Sequence, residues 1–217
     1  GIGVILSIPA IVFLVLFAVQ YGTVTDIISF SIFGASMLLL YLSSTLLHSI
    51  LHKQTKDVFE ILDHSAIFVL IAGTYTPFLL SPLKVELGYT LLAFVWALAA
   101  GGIVFKIFFV KRFIIVSTLV YLLMGWMIII AIKPLYVQLT GAGFSLILLG
   151  GIWYSVGTFF YILRIITYHH SMWNSCVLVG SASRSICILL YCVNIPAGSK
   201  IQHLHSDAGF FYARVCA

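Results

Sequence analysis

The sequence predicts an all-α membrane protein: a seven-transmembrane helix bundle with its N-terminus cytoplasmic and its C-terminus outside. Composition is the first of three observations behind this prediction, since 62% of the 217 residues are hydrophobic, 8% are charged and the mean hydropathy is +1.18. A soluble domain is about half apolar and about a quarter charged, so this composition excludes one. The other two observations are the lengths of the apolar runs and the distribution of Lys and Arg between them.

Seven apolar runs follow one another along the chain, each close to the ~20 residues that a helical span needs. They cover approximately residues 2–20, 27–50, 65–83, 87–109, 113–132, 143–165 and 173–195. The first run has no basic segment before it and the chain starts at Gly1, so we interpret it as a span of a truncated chain rather than a signal peptide. We predict one transmembrane domain over residues 1–195 and a divergent tail over residues 196–217.

Short polar connections separate the runs. In order they are Asp26, His52 to Asp63, Pro82 to Glu86, Lys106 to Arg112, Lys133 to Ala142, and Arg164 to Trp173. The even-numbered connections hold most of the basic residues, namely Lys53, Lys56, Lys106, Lys111, Arg112 and Arg164, whereas the odd-numbered ones hold Lys84 and Lys133. Because Lys and Arg concentrate in cytoplasmic loops, the even-numbered connections and the N-terminus are predicted to be cytoplasmic.

The net charge of +5 reflects this loop bias and contact with anionic membrane lipids. No basic stripe is interleaved with aromatic residues, so we expect no nucleic-acid partner. The chain is therefore predicted to be a multi-pass protein of the plasma (inner) membrane.

Several polar residues are predicted to meet at the cytoplasmic face, although they are far apart in sequence. His48 ends the second run, Asp63 precedes the third, and His169 and His170 precede the seventh. Alternating helices place all these positions on one membrane face. Two imidazoles and a carboxylate are ligand types that suit zinc. Ser44 lies one helical turn before His48, where it could orient a ligand or a water molecule.

Other interpretations of these residues stay open. A histidine such as His48 is common at the wet end of a span, and His52 is either a partner for His48 in a helical metal pair or a solvated loop residue. Asp63 could be the N-cap of the third span, a role that suits aspartate. His64 and His169 could be interfacial neighbours without a special task.

Three motifs occur in order: STLLH, LDHSAIFVLIAGTYTP and YHHSMW. With them the chain resembles the hemolysin III family, which belongs with the progestin and adipoQ receptors, from Gly1 to about Tyr191. The resemblance implies seven transmembrane helices and a zinc ion near the cytoplasmic face. It also implies that His48 and His170 are ligands, that Asp63 holds a water molecule on the metal, and that Ser44 lies close by.

The chain departs from the family pattern in its last third. The family expects His-x-x-x-His at the start of the seventh span, but here Asn174 follows His170. We keep Asn174 as a candidate ligand, although an amide oxygen binds zinc less well than imidazole. Arg184 stands where the family usually has histidine, with no acid at matching depth. The segment after Ile195 matches nothing expected, so we hypothesise that the final third is degenerate or carries sequence errors.

Two classes of function follow from the resemblance. Related receptors and alkaline ceramidases imply a zinc-dependent hydrolase of a lipid amide, such as a ceramide, in which Asp63 accepts a proton and Ser44 assists. The alternative is a non-enzymatic receptor, a pore-forming or haemolytic protein, or a degenerate homologue that has lost its metal. The sequence contains no ring of like charges and no filter motif typical of a pore.

Overall fold

The computed structural model describes residues 1–50, 52–81, 86–109, 113–162 and 169–192. Its helices are α1 (Ile2–Tyr21), α2 (Val24–Ser49), α3 (Lys53–Leu80), α4 (Glu86–Phe109), α5 (Ile114–Trp126), a 3-10 helix (Met127–Ala131), α6 (Ile132–Ile162), α7 (His169–Cys187) and a π-helical turn (Ile188–Cys192). Seven segments of this described part are long and apolar enough to cross a membrane. The predicted all-α bundle of seven spans is therefore confirmed.

The predicted second connection is wrong in its extent, because α3 begins at Lys53 rather than near Asp63. Lys53 to Lys56 are exposed, and the helix becomes buried only from Asp63 onward. Charged residues mark where a helix leaves the hydrocarbon. The helix itself can continue into water, because its backbone hydrogen bonds form there equally well. The charges in the sequence therefore mark a membrane boundary and not a helix boundary.

The predicted fifth connection, residues 133–142, is also helical. The fifth and sixth spans are Ile115–Leu139 and Gly141–Tyr161. The rings of Tyr136 and Phe144 approach to 5.2 Å between centroids. Eight residues of straight helix rise by about 12 Å, so the helix axis turns between these two rings. Pro134 lies in the first turn of α6, directly after the 3-10 helix, and a first turn is the part of a helix that tolerates proline.

Three other predicted connections and the tail fall partly or wholly outside the described residues. Residues 82–85, 110–112, 163–168 and 193–217 are not described, so the predicted tail over 196–217 lies outside the described residues. The described flanks are helical, since α4 runs to Phe109 and α7 starts at His169. The first connection is short, and Thr23 and Asp26 form a capping box that starts α2.

Glycines set the closest helix contacts. Gly73 on α3 packs against Ser36 of α2, and Gly102 on α4 packs against the Phe68 ring of α3. Between α6 and α7, a Cβ on Gly180 would lie 3.1 Å from the Gly150 carbonyl oxygen. Small residues allow such backbone approach in membrane bundles. The contacts place α3 between α2 and α4, pair α6 with α7, and bring α7 to α1.

Tyr75 of α3 supports the point where α5 gives way to the 3-10 helix. Its single hydroxyl proton is shared between the carbonyl oxygens of Met124 and Gly125, at 2.7 and 2.9 Å, and its oxygen accepts from the Ile128 N–H at 2.8 Å. Backbone groups inside a membrane need internal partners. Tyr75 supplies them where the regular helical ladder changes.

Candidate functional site

The candidate site lies at the end of the bundle where α2 ends and where α3 and α7 begin. Ser44 and His48 lie in the last turns of α2, Asp63 in the third turn of α3, and Asn174 in the second turn of α7. The direction of these helices therefore brings residues about 130 positions apart in sequence to one end of the bundle, as the alternation of spans predicts.

Ser44, Asp63 and Asn174 form a hydrogen-bonded cluster, which we name the Ser44–Asp63–Asn174 cluster. Asn174 Nδ2 donates to Ser44 Oγ at 3.1 Å. The Ser44 side chain in turn hydrogen-bonds the Asp63 carboxyl group. Asp63 is 5% exposed and Ser44 is 4% exposed, so both polar groups are buried. Two residues predicted for catalysis and one predicted ligand are thus in contact.

The orientation of the Asn174 amide follows from this chain of donors. A serine hydroxyl has one proton to give, and the Asp63 carboxylate is an acceptor. Because Ser44 donates its proton to Asp63, it must accept a hydrogen bond from Asn174, and the Nδ2 atom of the amide therefore points toward Ser44. The other amide atom, Oδ1, is buried and has no hydrogen-bond partner among the described residues.

His48 is exposed and lies beside the cluster. It lines a cavity of about 350 Å³ together with Tyr41, Ser44 and Asn174. The Lys56 side chain lies close enough to act on His48 electrostatically. The cavity gives the His48 imidazole and the Asn174 amide a shared, water-accessible space.

The side chains of His169 and His170, the other predicted histidines, lie outside the described part of the structure. The backbone places His170 in the first turn of α7, four residues before Asn174 and on the same side of the helix. Within the described part of the chain, no three His, Cys, Asp or Glu side chains form a group that could hold a metal ion.

Two of the open interpretations are resolved by the helix boundaries. Asp63 is not an N-cap, because α3 starts at Lys53 and Asp63 is an interior position. His52 is not in a helical pair with His48, because α2 ends at Ser49. It is instead exposed at the start of α3, with Nδ1 3.2 Å from Thr55 Oγ1.

His64 is more than an interfacial neighbour. Its Nδ1 lies 2.7 Å from the Glu60 carbonyl oxygen, so Nδ1 carries the proton, and its Nε2 accepts from the Tyr161 hydroxyl at 2.7 Å. Tyr121 donates to the His64 carbonyl oxygen at 3.0 Å. The sequence reasoning did not identify Tyr161, although the sixth span, like the second, ends at this face.

The comparisons with known proteins agree with the fold. The chain matches the family described as Haemolysin-III related over residues 1–185. It is 70% identical over 196 residues to the Hemolysin-3 homolog of Bacillus subtilis (strain 168), covering 90% of this chain and 92% of that protein. It is 58% identical over 191 residues to Hemolysin-3 of Bacillus cereus, covering 88% and 87% of the two chains.

A more distant relative is the Monocyte to macrophage differentiation factor of Homo sapiens, 26% identical over 183 residues, which cover 80% of this chain and 74% of that one. The family match includes both Asn174 and Arg184, the two positions that depart from the expected pattern. With seven apolar spans and a match over most of its length, the chain belongs to the Haemolysin-III related family.

Proposed function

We propose that this integral, multi-pass membrane protein binds a zinc ion at the Ser44–Asp63–Asn174 cluster and hydrolyses a lipid amide. The observation that carries the proposal is the unpartnered Asn174 Oδ1, which is buried beside a carboxylate and next to the cavity lined by His48. Leaving a buried acceptor unpaired costs about 1–3 kcal/mol. A cation at this position would give that oxygen a partner.

The donor types at the cluster suit a zinc ion, although less well than a set of three imidazoles. His48 offers an imidazole, Asp63 a carboxylate and Asn174 an amide oxygen, and His170 offers a second imidazole from the first turn of α7. Zinc in proteins is held by nitrogen, sulfur and carboxylate ligands. The amide oxygen is the weakest of the four, so we expect reduced zinc affinity rather than its loss.

Each residue then has a role in amide hydrolysis. A bound zinc ion would supply a Lewis acid for the substrate carbonyl and would lower the pKa of a water molecule toward neutral pH. Asp63 accepts the proton from the attacking water, and Ser44 holds the Asp63 carboxyl group in place through its hydrogen bond. The cavity beside His48 receives the polar part of the substrate, and the membrane holds its acyl chain.

Zinc content tests the metal site without relying on activity. The full chain would be purified in detergent with zinc present, and bound metal measured for the parent, His48→Ala and His52→Ala. We expect a stoichiometric zinc content in the parent and in His52→Ala, because His52 lies off the cluster, and a large loss in His48→Ala. A parent without zinc, or equal zinc in all three proteins, would contradict the proposed site.

A hydrolysis assay with a fluorescent ceramide then tests the reaction. We expect activity that a chelator abolishes and that Asp63→Asn lowers by about 10²–10⁴-fold, the range typical of removing a general base. If the protein binds zinc but cleaves no lipid amide, the metal site is supported and the proposed hydrolase activity is rejected.

A membrane-permeabilising function is the second candidate, and it is favoured by the names of the two Bacillus relatives, which are called hemolysins. It predicts dye release from lipid vesicles that does not depend on His48. Equal release by the parent and by His48→Ala would support this second function, whereas no release would reject it.

A further inference from the structure

Arg184 is a buried arginine inside the bundle that the proposed metal site does not use. Its side chain is 6% exposed, and its guanidinium carbon lies 4.2 Å from the centroid of the Tyr154 ring. On α7 it lies ten residues after Asn174, a rise of about 15 Å. Arg184 is therefore separate from the Ser44–Asp63–Asn174 cluster.

None of the acids in the described part of the chain lies at the depth of Arg184. These acids all fall within the first eleven residues of their helices: Asp26 on α2, Asp57, Glu60 and Asp63 on α3, and Glu86 on α4. Arg184 lies beside Gly150, near the middle of the sixth span, and near Tyr75, twelve residues beyond Asp63. Twelve helical residues rise by about 18 Å, so no carboxylate of the described residues neutralises this arginine.

Two cavities adjoin the Arg184 side chain. The larger, of about 50 Å³, lies among α3, α5, α6 and α7 and is lined mostly by apolar side chains, with Tyr154, Trp126, Trp173 and Arg184. The smaller, of about 10 Å³, lies toward Tyr75 and Ile147. A buried charge in a membrane bundle is costly unless it is paired or faces a polar cavity. The larger cavity is where a partner for Arg184 would fit.

We propose that this larger cavity is a binding site for a small monovalent inorganic anion of the halide or nitrate class, held by Arg184. Charge complementarity sets the sign of the ligand. The water-accessible space beside Arg184 is about 50 Å³, which is enough for a small hydrated ion, since about 10–15 Å³ of such space holds one water molecule. The charge of Arg184 and the small water-accessible space favour a compact ion, and a long-chain carboxylate is the competing ligand that the experiment distinguishes.

The neighbouring hydroxyl groups are arranged so that Arg184 is the main donor to such an anion. The Tyr154 hydroxyl and Ser181 Oγ lie 2.8 Å apart, and Tyr41 donates to Ser181 at 3.3 Å. Ser155 donates to the Gly151 carbonyl and accepts from Trp126 Nε1. The three hydroxyl groups of Tyr41, Ser181 and Tyr154 share two hydrogen bonds, so one hydroxyl proton is left to assist the guanidinium N–H groups, which carry the charge.

The test is anion-dependent melting of the purified full chain at constant ionic strength, with chloride replacing gluconate, which is too large for the cavity. We expect the melting temperature to rise by several degrees in a saturable way, because a ligand that binds the folded state stabilises it. Iodide should quench the fluorescence of Trp126 and Trp173, which line the cavity, over the same concentration range.

Three variants locate the effect. Arg184→Gln should weaken both responses at least tenfold, since it removes the charged donor. Lys133→Gln removes an equal charge from an exposed position and should leave both responses unchanged. Gly150→Ala places a Cβ 3.1 Å from Arg184 Cγ, so it should displace the arginine side chain and weaken anion binding. It replaces Arg184→Gln as the test variant if Arg184→Gln fails to fold.

Three outcomes would overturn the proposal. The first is a parent that melts at the same temperature in chloride and gluconate. The second is an unchanged anion response in folded Arg184→Gln or, where that variant does not fold, in Gly150→Ala. The third is stabilisation by a long-chain carboxylate such as decanoate but not by chloride, which would assign the site to an amphiphile instead.

Discussion

At the scale of single residues, Asn174 decides how strongly the proposed site can hold a metal. Its Oδ1 is unpartnered among the described residues, and its Nδ2 is committed to Ser44. An imidazole at this position would replace the weakest donor by a better zinc ligand. The Ser44 hydroxyl would lose its donor in exchange, which is a smaller change because its bond to Asp63 remains.

We therefore expect Asn174→His to bind zinc at least about tenfold more tightly than the parent, within the 10–100-fold range that ligand surroundings typically control. Affinity would be measured by competition with a chromogenic chelator, with Asn174→Ala as the control. Asn174→Ala should bind more weakly than the parent. If histidine and alanine at this position gave the same affinity, residue 174 would not be a ligand.

The sequence identified the cluster but not its surroundings. Ser44, His48 and Asp63 were predicted because each lies at a span end on the same face, a relation that alternation of helices fixes. The contact of His64 with Tyr161 and that of Arg184 with Tyr154 depend on how α6 rotates against α3 and α7. Apolar residues surround each span on all sides, so hydrophobic periodicity does not reveal that rotation.

At the scale of the helices, the contact between α3 and α4 depends on a glycine. A Cβ on Gly102 would overlap the Phe68 ring, whereas one on Gly101 would meet no atom within 4 Å. We expect Gly102→Ala to destabilise the protein by about 1–3 kcal/mol through overpacking. For a chain of this size, 1 kcal/mol corresponds to about 2–4 °C in melting temperature.

The matched control is Gly101→Ala, which changes the adjacent residue in the same way. It should change the stability by less than about 1 kcal/mol, with alanine favoured over glycine in a helix. Melting of both variants in the same detergent is the measurement. Equal melting temperatures for Gly101→Ala and Gly102→Ala would show that Phe68 relaxes freely and that the contact is not tight.

The change from α5 to the 3-10 helix depends on one hydroxyl group. Tyr75→Phe keeps the ring but removes the hydrogen bonds to the Gly125 carbonyl and the Ile128 N–H, whereas the Met124 carbonyl still accepts from the Met127 N–H. We expect a loss of about 1–3 kcal/mol per group left unsatisfied, and therefore a lower melting temperature. Tyr136→Phe is the control, since Tyr136 is 54% exposed, and it should melt like the parent.

Helix ends were the features least predictable from sequence. The charges at Lys53 and Lys56 led us to predict a loop, and Pro134 and Gly141 led to another, yet both segments are helical. Charge and proline indicate where a span leaves the hydrocarbon or where a helix can begin. They do not indicate that the helix ends. A helix in water can carry charged residues, and the first turn of a helix can carry a proline.

At the scale of the whole molecule, the basic residues at the two ends of the bundle predict its orientation in the membrane. Lys53 and Lys56 are exposed at the start of α3, the same end as the Ser44–Asp63–Asn174 cluster, whereas Lys133 lies toward the opposite end. Basic residues favour the cytoplasmic side. We therefore predict that the cluster faces the cytoplasm and that the start of α4 faces outward.

Cysteine labelling with a membrane-impermeant maleimide tests this orientation in cells. Lys53→Cys and Glu86→Cys place thiols at two exposed positions on opposite ends of the bundle. We expect Glu86→Cys to be labelled in intact cells and Lys53→Cys only after permeabilisation, with the parent giving the background from native cysteines. The reverse pattern would place His48 and Asp63 outside. A lipid amide in the outer leaflet would then be the substrate to test, because the reacting groups must lie on the side from which their substrate arrives.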